Sequence, residues 1–91
     1  MTYSIVFSIE ATQKIAEIDP QLAADFLDFF SMIESNPERA GVRAYFRHRP
    51  QGRMVPFKTI IDGELLYCFI FFRFQPGNAV LITKIVAGTR D

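Results

Sequence analysis

The chain has 91 residues, enough for one domain with a modest core and too few for two. Apolar residues make up 49% and charged residues 22%, a balance that fits a soluble globular protein and excludes intrinsic disorder. Ten basic residues offset ten acidic ones, but the halves are opposite in sign: residues 1–38 hold Lys14 against seven acids, and residues 39–91 hold nine bases against three acids. A neutral pI alone would argue against a polyanionic partner; the segregation argues for one in the second half. A single cysteine, Cys68, rules out an intrachain disulfide and any Cys-rich zinc site. The longest apolar run, Leu65 to Phe72, falls well short of the roughly 20 residues of a membrane span. No basic stretch followed by an apolar one opens the chain as a signal peptide would, so a reducing, cytoplasmic setting is expected and no membrane partner.

Residues 3–8 alternate and are rich in β-formers, so they predict a strand. Ser8 is an N-cap candidate with Glu10 in the first turn, and a short helix follows over residues 10–18, with Ala11, Ile15 and Ile18 on one face. Asp19-Pro20 restarts the helix, Asp as cap and Pro at the first position, where no N–H is lost. Leu22, Phe26, Phe29, Phe30 and Ile33 then recur at helical spacing until Asn36-Pro37 ends the run. Residues 42–48 read as an irregular strand or an ordered loop, and Pro50-Gln51-Gly52 as a turn or loose loop. Residues 54–61 predict a strand. Asp62-Gly63 predicts a two-residue type I′ hairpin turn, residues 64–75 a long central strand, and Pro76-Gly77-Asn78 a second turn before a last strand over residues 79–86. The expected fold is α+β in two layers, β-α-α-β-β-β, with a helical hairpin on one face of a four-stranded, mainly antiparallel sheet, in a single domain over residues 1–91.

A two-residue turn at Asp62-Gly63 pairs Ile60 with Leu65, Lys58 with Tyr67 and Pro56 with Phe69. With Phe74 opposite Ala79 in the second hairpin, Arg73 pairs with Val80, Phe71 with Ile82 and Phe69 with Lys84. One face then carries Phe57, Thr59, Leu66, Cys68, Ile70, Phe72, Leu81 and Ile85, uncharged and suited to the core. The other carries Lys58, Tyr67, Phe69, Phe71, Arg73 and Lys84, a mixture suited to phosphates and stacked bases or to a protein partner. A three-residue turn at 76–78 would flip the last strand and turn Lys84 away. Cys68, in the middle of an apolar run, reads as a buried inert thiol. Arg39, Arg43, Arg47, Arg49 and Arg53 form a basic run that suits a solvated loop or a nucleic-acid track equally.

The order strand–helix–helix–meander resembles the RelE/ParE superfamily of bacterial toxin–antitoxin toxins. The resemblance rests on Tyr3-Ser4-Ile5-Val6-Phe7-Ser8 with Ala11, on Asn36-Pro37, on Phe57-Lys58 through Asp62-Gly63, on the apolar strand through Tyr67, and on the closing Ile85-Val86-Ala87-Gly88-Thr89-Arg90-Asp91, similar to endings of ParE-like members. It implies a growth inhibitor held inactive by a cognate antitoxin, with no metal or cofactor. Two targets follow from the superfamily: DNA gyrase for ParE-like members, and mRNA in the ribosome for RelE-like members, which cleave it. In the nuclease reading the ribose 2′-OH attacks the adjacent phosphate, which requires a base, an acid and cations. Lys58 and Arg90 match the expected cations and His48 is a candidate base. Leu65, however, stands where an arginine usually follows the hairpin turn, and the chain shows no C-terminal tyrosine. These departures favour the gyrase reading, with the ribosome-dependent endonuclease as alternative and a non-toxic binding module as the third. In each reading the contact residues are Arg43, Arg47, Arg49, Arg53, Lys58, Tyr67, Arg73, Lys84 and Arg90.

Overall fold

Five strands and two helices follow one another as β1 (Ser4–Phe7), α1 (Ile9–Glu17), α2 (Pro20–Ser35), β2 (Val42–Phe46), β3 (Arg49–Ile61), β4 (Glu64–Gln75) and β5 (Ala79–Thr89). The computed structural model describes residues 2–46 and 49–89, with the backbone alone for residues 42–46, 49–51 and 89. The sheet order is β1-β5-β4-β3-β2, with β1 parallel to β5 and every other pair antiparallel. The four expected strands are there, and residues 42–46 add a short fifth one at the edge.

Both helices start at their expected caps. The Ser8 hydroxyl accepts the Ala11 N–H (3.0 Å), and the Asp19 carboxylate accepts the Gln21 N–H (2.8 Å) with Pro20 in the first turn. Leu22, Phe26, Phe30 and Ile33 of α2 are buried, at the spacing of one helical stripe. Phe57 of β3 ties this stripe to the sheet: its ring meets Phe26 edge-on (5.0 Å) and stacks on Phe29 (4.2 Å). The core is completed by Ala11, Val55, Cys68, Ile70, Phe72, Val80, Ile82 and Ile85.

The first hairpin has the expected register, Ile60 opposite Leu65 and Lys58 opposite Tyr67. Both turn residues have positive φ, 52° at Asp62 and 81° at Gly63, as a type I′ turn needs. The second hairpin differs. Gly77 and Asn78, at φ 80° and 55°, belong to a three-residue turn, so Gln75 pairs with Ala79, Phe74 with Val80, Arg73 with Leu81 and Phe72 with Ile82. Val80 and Ile82 therefore fill the core, and Leu81, expected there, lies on the opposite face. A bulge between Phe71 and Phe72 then absorbs Thr83 and restores the expected phase, with Phe71 opposite Lys84 and Ile70 opposite Ile85. The Pro50-Gln51-Gly52 stretch, expected as a turn or loose loop, belongs to β3. It pairs with β2 through an irregularity at Ala44/Tyr45, because Gly52 takes a φ of 144° that only glycine adopts readily.

Candidate functional site

Strand parity places the polar and aromatic residues that the core does not use. On β3 and β4, Phe57, Thr59, Leu66, Cys68, Ile70 and Phe72 turn to the helices, so Lys58, Tyr67, Phe69, Phe71 and Arg73 turn to the other side. The Thr59 hydroxyl donates to the Asp25 carboxylate of α2 at 2.7 Å, which confirms which face meets the helices. Among the described residues no helix lies over the outer face.

Lys58, Arg73 and Lys84 are exposed there, and Tyr67, Phe69 and Phe71 are half-buried between them. Lys58 is level with Tyr67, Phe69 with Val86, and Phe71 with Lys84. From strand geometry the Lys58 and Lys84 backbones are roughly 16 Å apart, two strand spacings across and four residues along. The Phe69 and Phe71 rings lie 6.5 Å apart, tilted by 31°. Beside them an open hollow of about 290 Å³ is lined by Pro56, Lys58, Tyr67 and Phe69, with Phe57 and Cys68 between them. Flat rings flanked by exposed cations can stack unpaired bases and neutralise phosphates. Apolar residues flank this patch: Ile60 and Leu65, a cross-strand pair beside the turn, are 68% and 43% exposed, and Val6 is 46% exposed.

Lys84 reaches this face because of the bulge, and the bulge has a second use. It turns the Thr83 carbonyl to the Ser8 hydroxyl, which donates to it at 2.9 Å, while the Thr83 hydroxyl donates to the Phe71 carbonyl at 3.2 Å. One serine thus caps α1 and fixes the strand that presents Lys84.

The remaining expected contacts divide. Arg53 is not on the outer face. It pairs with Phe72, points to the helix side, is half-buried, and donates from Nη2 to the Gly41 carbonyl. Arg43 is the β2 register partner of Arg53, and Arg49 that of Phe46. Arg47, His48 and Arg90 lie outside the described residues, so the base and one of the two cations of the nuclease reading do as well. Sequence reasoning passed over Met54 and Val6 on the outer face and placed Leu81 in the core.

Cys68 is fully buried, and burial, together with the negative charge of Asp25, pushes its thiol pKa up from the ordinary value. The expected burial is there. Among the described residues no helix is long and apolar enough to cross a membrane.

No protein-family model matches the chain, and no curated protein does. Solved structures do match. A chain of the RelBE2 toxin–antitoxin complex from Mycobacterium tuberculosis superposes with a TM-score of 0.67 at 18% identity, covering 93% of this chain and 96% of that one. A chain of the intact RelBE toxin–antitoxin complex from E. coli superposes with a TM-score of 0.59 at 11% identity, covering 98% of each.

Proposed function

We propose that this chain, which has the fold of the RelE-type toxins, is the toxin of a type II toxin–antitoxin module, held inactive by a cognate antitoxin, and that its outer sheet face contacts the target. The observation that carries the reading is the end-to-end likeness to chains of two RelBE toxin–antitoxin complexes. The open face of Lys58, Arg73 and Lys84 around Tyr67, Phe69 and Phe71 supports it. A fold alone does not assign a function, so the weight on that face is chemical.

For the target, the face favours ribosome-bound mRNA over gyrase. Cations interleaved with ring faces suit a single strand, whose bases are free to stack, better than a protein surface. In this reading Lys58 faces the phosphate, with Arg90 as the second cation and His48 as the base that takes the 2′-OH proton. Leu65 in the usual arginine position means fewer cations around the phosphorane, and hence slower cleavage than a full set would give.

Induced expression is expected to stop growth, and mRNA from the arrested cells to carry new 5′ ends within codons on ribosomes. Lys58→Ala is expected to abolish both. Arrest with intact mRNA and accumulated gyrase–DNA breaks would move the target to gyrase. Growth without arrest would leave a binding module.

A further inference from the structure

The hollow beside Tyr67 owes its shape to Pro56. Pro56, Lys58, Tyr67 and Phe69 stand at the corners of a rectangle on the outer face, Pro56 opposite Phe69 and Lys58 opposite Tyr67. The corners are roughly 7 Å apart along each strand and about 5 Å across. Three corners carry long side chains. The fourth carries the short ring of Pro56, so the face dips there into the open hollow of about 290 Å³. β2 reaches β3 only as far as Met54, opposite Val42. Among the described residues β3 therefore has no strand beside Pro56 on that side, and a proline is tolerated where a strand paired on both sides would reject it.

The lining decides what fits. The volume lies at the small end for a ligand site, with room for one ring system. The walls on this face are the Tyr67, Phe69 and Pro56 rings, and their polar groups are the Lys58 ammonium and the Tyr67 hydroxyl. Charge narrows the choice further. Of the two acids between residues 52 and 88, Asp62 sits in the turn and Glu64 has the opposite parity to Tyr67, whereas Lys58, Arg73 and Lys84 all turn to this face. The occupant is a flat, apolar-faced ring on an anionic chain. We propose that the hollow is a base slot, an inference that rests on the target-face reading above. One unpaired base of single-stranded RNA lies against Tyr67 and Phe69 with a neighbouring phosphate on Lys58, and Pro56 keeps the slot open. The slot holds the base by its face. No side chain lining it presents the paired donor and acceptor that read a base edge, so it accepts any base.

The test compares binding of the purified full chain to a dye-labelled six-nucleotide adenylate RNA and to the same hexamer built from abasic units, which carries the same phosphates. The abasic hexamer is expected to bind at least about fivefold more weakly, the lower bound for one stacked base. Pro56→Leu, which fills the slot, is expected to weaken adenylate binding by roughly 5- to 150-fold at an unchanged salt slope, and Pro56→Ala, which leaves it open, to cost less. Hexamers of cytosine or uracil are expected within about fivefold of the adenylate, less than one bidentate base contact gives. A wider spread overturns the tolerance of the slot. Equal affinity for the adenylate and abasic hexamers, or adenylate binding untouched by Pro56→Leu, overturns the slot itself; if Lys58→Ala still weakens both hexamers, the target face survives. Binding of neither hexamer, or binding indifferent to Lys58→Ala, overturns the slot and the target face together.

Discussion

Cys68 and Thr59 lie on the helix-facing side of adjacent strands, Cys68 level with Phe57 and Thr59 level with Leu66, and Thr59 ties the sheet to α2. The Cys68 thiol is neutral at pH 7, because burial, and then the charge of Asp25, raise its pKa above the ordinary 9.0. A folded-state pKa above the unfolded one gives stability that is fully present below pH 9 and is lost as pH rises through the higher folded value. Urea titrations between pH 8 and 11 should therefore show stability falling on the alkaline side. Cys68→Ala should flatten that fall while costing about 1 kcal/mol at neutral pH. A thiol reagent should label the native protein only as fast as it opens. For Thr59, removing the hydroxyl leaves the half-buried Asp25 carboxylate without its donor. Thr59→Val should cost about 1–2 kcal/mol, read as a lower urea midpoint at unchanged m-value. An unchanged midpoint would mean that water replaces the hydroxyl at no cost.

The last strand explains why part of the fold was legible and part was not. Asp62-Gly63 specifies its turn outright, since few residue pairs accept two positive φ angles, and the register of β3 against β4 follows from it. Pro76-Gly77-Asn78 does not specify a loop length, and the choice of a longer loop, with Phe74 opposite Ala79, put Leu81 in the core instead of Val80 and Ile82. Nothing in the sequence marks the compensating bulge: Thr83 is an ordinary β-former, and the excess residue is identifiable only once the helix cap it serves is in place. The pairing of β2 with the start of β3 was missed for a related reason. Pro50 and Gly52 read as turn residues, yet Gly52 is in the ladder because its absent Cβ lets the backbone pass the Phe72 carbonyl. Arg53 was placed with the other cations on the strength of its charge, whereas its parity with Phe72 turns it inward. Ser8→Ala should cost about 1–2 kcal/mol, since it removes a cap and the tie to Thr83 together. Amide exchange should rise at the start of α1 and at residues 82–84 in concert. Protection lost at the helix alone would show that the bulge holds itself.

The molecule as a whole is a charge sandwich: the helical layer carries Glu10, Glu17, Asp28 and Glu34, while the open sheet face carries Lys58, Arg73 and Lys84. Summed, the charges cancel; separated by layer, they make one side attractive to a polyanion and the other repulsive. Binding to single-stranded RNA should therefore be measurable despite the zero net charge, and its salt dependence should count the cations in contact. Each neutralised phosphate contributes roughly −0.7 to the slope of log K against log salt, so three cations should give a slope of about −2. Replacing Lys58 and Lys84 with alanine should bring it to about −0.7. Tyr67→Ala should weaken binding by about 1–3 kcal/mol, the worth of a lost stacking partner, with the slope unchanged. Neutralising Glu17, Asp28 and Glu34 on the far layer should leave both quantities where they were, because those charges lie beyond the screening distance of about 8–10 Å at physiological salt. If instead the slope followed the helical layer, or stayed at −2 without Lys58 and Lys84, phosphate would be meeting the protein elsewhere, and the outer face would lose its claim to the target.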